Sequence, residues 1–428
     1  MLAANRGWES QRIYEAAITL RRGWLASDDK SLGPTLARDE FQKNTAKRGF
    51  SRLDAEGPAI LVPGGPGFFA DSCGEHGCLA VRYGRDGKME QSWPWKPEAL
   101  IGAPSLRSGD YDYAGSDRSD DLFVTSIAQF PDGDLLLTFN LANAFPYGFG
   151  LARLRANGTP AWRLADYYHH RPKIGSDGFV YSPYYEVRDQ ALYREADPNL
   201  RPFVSCRAPE RQYADLVHIL DGEGRLVREI DLIELFLKDK RHGSSLARVT
   251  DPCDPLHLNS VDVAQETIAG TLVAKGDLLL SLRGPSLVVL IAADGSRIKR
   301  IYAGSFAVQH SAKFAADGEF VLFDNMGSGP GEYPSRILAV DLATGAERTV
   351  RARRNPADLV EYATTVGDIA LSSDRRRALI AYTQSGTLLE IDLASGRELS
   401  RYTHRHSLAG RGSDNSIYKL YASNYSAD

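Results

Sequence analysis

The sequence has no run of eighteen or more apolar residues, so no segment reads as a membrane-spanning helix. Its opening, MLAANR, lacks the apolar core of a secretory leader. Charge of one sign is also missing. With 51 basic residues against 55 acidic ones and a net charge of −4, there is no strongly basic footprint for nucleic acid, which leaves small molecules as the expected partners. Cysteines are few. Cys73 and Cys78 bracket a tight Gly-Glu-His-Gly loop, while Cys206 and Cys253 fall in two Pro- and charge-rich insertions. Their even number suits two disulfides and an oxidising compartment, although spacing leaves the connectivity open. A structural zinc site wants four ligands, and Cys73, His76 and Cys78 have no second pair nearby, so no metal is expected.

Helical periodicity is confined to the start. Trp8, Ile13, Ala16, Ala17, Leu20 and Trp24 recur at helical spacing with Arg12, Arg21 and Arg22 between them, so residues 1–50 read as a charged, mostly helical extension. Residues 51–428 are different. A β-rich run meets an Asp-Gly type of turn, continues into an apolar strand, and ends in two more strands around another glycine turn. The first turns are Asp132-Gly133, Asp177-Gly178, Lys275-Gly276 and Asp317-Gly318, with Ser373-Asp374 in the last unit. The second turns are Asn157-Gly158, Glu223-Gly224, Asp294-Gly295, Thr344-Gly345 and Ser395-Gly396. Four-stranded repeats of roughly forty to fifty residues are the signature of a β-propeller. Six blades are expected: a less regular first one from about Gly57 to Trp95, then others beginning near Phe123, His170, His257, His310 and Val366. The fold class is therefore all-β, a six-bladed propeller with a short helical N-terminal extension.

The first-turn glycine serves as a ruler. His310 lies eight residues before Gly318, and His170 eight before Gly178. His257 opens the corresponding strand of the blade between them, although an insertion from Gln265 to Ala274 lengthens its distance to Gly276. Three consecutive blades thus each start an innermost strand with a histidine, which should bring all three to one end of the channel. Past the turn, Arg283 stands seven residues after Gly276, with Asn140, Tyr185 and Asn325 at the matching position in other blades. Side-chain alternation makes this register meaningful, because a one-residue slip would turn any of them to the other face. His76, His218, His242, His404 and His406 have no such register and read as ordinary core or surface residues.

The pieces His257-Leu-Asn-Ser-Val-Asp262, the strand ending in Arg283, Gln309-His310 with Asp317-Gly318, Phe323-Asp-Asn325, and Ser335-Arg-Ile-Leu338 with Asp341 resemble the bacterial aryl-sulfate sulfotransferases that use no nucleotide donor. With Tyr168-His-His170 and Val366-Gly-Asp368 they span most of residues 120–400. The resemblance implies ping-pong transfer of a sulfuryl group from a phenolic sulfate ester to a phenol. His310 would be the transiently sulfurylated histidine, with His257 and Arg283 the sulfate-binding pair. The upstream histidine falls on His170 by register, with His169 as the fallback, and no cofactor is implied. Asn325, Tyr185 and His169 are further substrate-binding candidates. A periplasmic or secreted location is implied as well. Ser311 departs from the pattern, standing where many relatives carry aspartate.

The chemistry suits these residue types. Sulfuryl transfer, like phosphoryl transfer, spreads charge over equatorial oxygens, so positioning and electrostatics dominate. A planar guanidinium can bind two such oxygens and keeps its charge. A neutral imidazole is a competent nucleophile, and a second histidine can supply and remove the phenol proton. His257 and His170 are both open for that second role. The competing readings are an aryl sulfate hydrolase at the same site and a non-catalytic propeller that binds anionic or aromatic ligands. A quinone dehydrogenase would want channel-facing tryptophans, and a calcium lactonase would want carboxylates where the histidines stand.

Overall fold

A computed structural model of the chain describes residues 49–426, apart from 97–99, 101–121, 142–147, 190–192, 194–196, 207–210, 328, 356–359, 364–365 and 405–423. The expected extension, residues 1–50, lies outside the described residues except for Gly49 and Phe50. Among the described residues no helix is long and apolar enough to cross a membrane.

Six antiparallel sheets form the six blades of a β-propeller. From blade 2 onward the innermost strands are Leu122–Gln129, Lys173–Ile174, Leu258–Val263, His310–Phe314 and Asp368–Leu371. Each is followed by three more strands stepping outward, and successive inner strands lie side by side around the axis. Blade 1 is built from both ends of the described chain. Its innermost strand is Asn424–Tyr425, paired with Ile60–Pro63, and then come Cys78–Tyr83 and Met89–Pro94. Gly49–Arg52 adds a fifth strand to the outer edge of blade 6, against Glu398–Thr403. The ring therefore closes twice at one seam, once inside and once outside. Arg85 reinforces the seam from blade 1 with hydrogen bonds of 2.8 and 3.0 Å to the buried carboxylate of Glu390 in blade 6.

Blade 4 shows why these sequences become strands. Leu278–Leu282 and Leu287–Ile291 are apolar runs with every residue buried, as expected of strands covered on both faces. Alternation divides the residues between neighbours. Leu278, Leu280, Leu282, Leu287, Val289 and Ile291 pack with blade 3, while Leu279, Val288 and Leu290 pack with blade 5. Each fully buried leucine contributes roughly 1.5–3 kcal/mol from area removed from water. A slip of one residue would exchange the two faces, so packing on both sides fixes the register. The ruler glycines are legible for a backbone reason: Gly178 and Gly318 sit at φ +81° and +77°, where a side chain would be strained.

The four cysteines form two disulfides, Cys73–Cys78 and Cys206–Cys253. The second closes a sequence separation of 47 residues and ties down the segment that leads into Asp254.

Candidate active site

His310 is the first residue of the inner strand of blade 5, and His257 immediately precedes that of blade 4. His170 precedes the short inner strand of blade 3, where Arg171 bridges in parallel to Ser260 of blade 4. These equivalent positions converge. The His170 ring centroid lies 5.6 Å from that of His257 and 6.0 Å from that of His310. The backbone bends sharply at this end. His170 and His257 adopt left-handed conformations at φ +53° and +51°, and Val308 and Ser311 flank His310 at φ +57° and +58°. Such values are uncommon outside glycine and rarest for a β-branched residue, and each costs about 1–3 kcal/mol. Strain of this kind gathers where geometry matters more than stability.

The tautomer of His310 follows from its neighbours. The Asn325 side-chain amide donates to the carbonyl oxygens of Ala363 and Val366, at 2.8 and 2.9 Å, so its Oδ1 is the atom that faces His310 Nδ1 at 2.7 Å. The Val308 carbonyl, 3.1 Å from the same nitrogen, can only accept. His310 Nδ1 is therefore protonated, and Nε2 carries the lone pair. Burial, then the nearby charge of Arg283, pull the His310 pKa down to about 3, so the ring is neutral at ordinary pH.

His257 has a different partner. Its Nδ1 lies 2.5 Å from Asp254 Oδ2, and the Tyr185 hydroxyl donates to Asp254 Oδ1 at 3.4 Å. Burial favours the neutral acid of Asp254, but the charge of His257, its hydrogen bond and the charge of Arg283 together hold the carboxyl below its usual value. The result is a carboxylate–imidazole dyad with Nε2 of His257 left for chemistry. Asp254 lies outside the register that the first-turn glycines define. Its signal is the three-residue spacing to His257.

Tyr185 is fully buried and stacks on His169 with centroids 3.9 Å apart. His169 Nδ1 meets His170 Nδ1 at 2.7 Å, so one ring donates to the other. Burial depresses the His169 pKa to about 3 and that of His170 well below its usual value. Behind them lies Asp215, 4.0 Å from His169 Nε2, whose carboxyl is pushed well above the usual range by burial and then by the charge of Asp254. Asp215 has no sequence signal of the kind the glycine ruler supplies.

Arg283 donates its backbone N–H to the His257 carbonyl at 3.1 Å, which fixes it above the histidines. Its side chain forms no ion pair or hydrogen bond among the described residues, and its Nε is buried without a partner. A guanidinium without an ion pair, beside the neutral imidazoles of His170 and His310, is chemically able to hold an oxyanion. Among the described residues, no group of three or more His, Cys, Asp or Glu is arranged to hold a metal ion.

Of the histidines without register, His218 stacks on Tyr184 at 3.9 Å, His404 stacks on Phe68 at 5.3 Å, His242 bonds Asp239 at 3.1 Å, and His76 is exposed beside Glu75. His406 lies outside the described residues.

No curated protein matches the sequence. Among solved structures the chain is similar to a protein of unknown function from Bacteroides caccae, at 12% identity over 86% of this chain and 98% of that one, with a TM-score of 0.47. It is also similar to TolB from Acinetobacter baumannii, at 10% identity over 87% of this chain and 67% of that one, with a TM-score of 0.46. Residues 226–402 match the family model of the arylsulfotransferases (ASST), a span that takes in His257, Arg283, His310 and Asn325. Residues 226–402, blades 4 and 5 and most of blade 6 of a six-bladed propeller, are thus similar to the arylsulfotransferases.

Proposed function

We propose that the protein transfers a sulfuryl group from an aryl sulfate ester to a phenol through a sulfohistidine at His310. The observation that carries this reading is the bonding of His310: Asn325 holds Nδ1–H, burial keeps the ring neutral, and Nε2 is left as the nucleophile beside an unpaired arginine.

In the first half-reaction, His310 Nε2 attacks sulfur in line with the departing aryl oxygen. The N–S bond forms as the S–O bond breaks, and Arg283 takes the charge on the equatorial oxygens. The leaving phenoxide accepts a proton from His257 Nε2, and Asp254 on Nδ1 stabilises that imidazole while it carries the proton. In the second half, His257 Nε2 removes the proton from the acceptor phenol, whose oxygen attacks sulfur, and the N–S bond breaks to restore neutral His310. The acid–base role falls to His257 over His170 because only His257 has a carboxylate on its second nitrogen. His170 is held neutral by burial and by its neighbours, which suits it to accept or donate a hydrogen bond to the transferring group. Asn325, Tyr185 and His169 are buried and engaged with the protein, so they act by positioning the histidines. Two disulfides and the family favour a periplasmic or secreted location.

The test is incubation of the full chain with an aryl sulfate and a phenol, with acceptor sulfation as the readout. The reaction is expected only with both present. A sulfate-sized adduct on the His310 peptide is expected when donor is given alone. His310→Ala should lose the adduct and more than about a hundredfold of the rate. Donor cleavage at the same rate without acceptor would make the protein a hydrolase, and binding without turnover would make it a receptor.

A further inference from the structure

The far end of the channel holds a polar, partly open cavity of about 240 Å³ where the inner strands finish. Every blade contributes to its wall, through Ser426, Gln129, Lys173, Gln265, Lys313 and Arg375 in ring order. None of the histidines lines it. Lys313 lies three residues along its strand from His310, across a bulge, so at a strand rise of about 3.3 Å per residue their backbones are at most about 10 Å apart.

The charges around this cavity do not balance. Arg171 pairs with Asp368, and Lys173 pairs with Asp262 at 3.2 Å. Two cations then remain without a close ion pair among the described residues. Lys313 is 6% exposed, and its ammonium has one hydrogen bond, to the Val261 carbonyl at 3.3 Å, with no ion pair among the described residues. Arg375 reaches only an exposed carboxylate, Glu266, at 4.0 Å. An ammonium has three N–H donors, so two of those on Lys313 are unused at the cavity wall. A buried cation whose neighbouring carboxylates, Asp262 and Asp368, are already paired with other cations is costly, and a small anion at this point would lower the cost. Burial lowers the Lys313 pKa to about 8, against the charges of Asp262 and Asp368, which raise it, and with those of Arg171 and Lys173, which lower it.

We infer that the far cavity is a second anion-binding site, taking a small oxyanion such as sulfate or phosphate on Lys313 and Arg375, with Lys173 beside them. The inference holds whether or not the histidine end transfers sulfuryl groups. The floor between the two ends is built from Arg171, Asp368 and Ser311. Ser311 donates to Asp368 and receives the backbone N–H of Ile369 at 2.9 Å, so residues next to His170 and His310 meet on one carboxylate.

The probe is inorganic sulfate, whose charge is constant over the range used, with saturable binding to the full chain measured by calorimetry. In Arg283→Met, which removes the guanidinium at the histidine end, saturable binding is expected to persist. Lys313→Met in that background is expected to weaken it at least tenfold. Arg375→Gln serves the same purpose if Lys313→Met does not fold. Affinity is also expected to fall by a similar factor from about pH 7 to about pH 9.5, as the lysine loses its proton. Absence of saturable binding in Arg283→Met overturns the inference, and so does binding that neither Lys313→Met nor Arg375→Gln changes.

Discussion

Asn325 decides which nitrogen of His310 faces the channel, and this makes it a sharper probe of the proposed chemistry than His310 itself. Asn325→Leu should leave the ring free to adopt the other tautomer and lower kcat by about tenfold to a hundredfold, with little change in KM. Equal activity in Asn325→Leu and wild type would remove the tautomer argument. The buried histidines also bear on pH, and here the sign runs opposite to the common case of a salt-bridged histidine. His310 is held neutral down to about 3, whereas an unfolded histidine takes up its proton near 6.5. Between those values the unfolded chain binds more protons, so the contribution of His310 to stability is present above pH 6.5 and is lost as pH falls toward 3. Denaturation midpoints of wild type and His310→Gln measured across that window should converge on acidification if the sign is right. The ruler that found His170, His257, His310 and Arg283 works because glycine turns and strand alternation are periodic. Asp254 and Asp215 escaped it. The former sits in an irregular loop before its strand, and the latter lies on the third strand of its blade, reaching the site only once two blades are packed together.

The Cys206–Cys253 disulfide closes a loop whose end leads directly into Asp254. Cys253 precedes Asp254 directly, and its carbonyl accepts from the Tyr213 backbone N–H at 2.7 Å, so the disulfide and one hydrogen bond locate the carboxylate of the dyad. Closing a loop of this length stabilises the fold by about 4 kcal/mol through the unfolded chain. The double variant Cys206→Ser, Cys253→Ser should therefore melt earlier, and its kcat should fall toward that of Asp254→Asn. If the double variant melts earlier but retains full kcat, the disulfide does not position Asp254. Sequence reading could anticipate two bridges from parity but not the pairing, because insertions have no period to compare. Strands covered on both faces were legible for the reverse reason: runs such as Leu278–Leu282 are apolar at every position and end at glycine turns.

For the molecule as a whole, ring closure is the feature least visible in the sequence. Asn424–Tyr425 is a strand of two residues with no repeat pattern, yet Tyr425 is buried, and its hydroxyl donates to Glu390 at 3.0 Å. Removing residues 424–428 should cost about 3–5 kcal/mol, comparable to truncating a buried aromatic, and thermal melting of the shortened chain measures it. The six-blade count itself was recoverable, since five blades announce their turns and only the first borrows its inner strand from elsewhere. The double seam also sets how the protein would respond to tension. A pull between residue 49 and residue 425 loads the junction of blades 6 and 1, where the outer and inner closing strands both end. Blades 3 and 4 lie across the ring from that junction, whereas blade 5 adjoins blade 6. Under stretching, the sector that carries His170 and His257 should be the last part to feel the load, so the seam acts as a mechanical fuse for those two histidines.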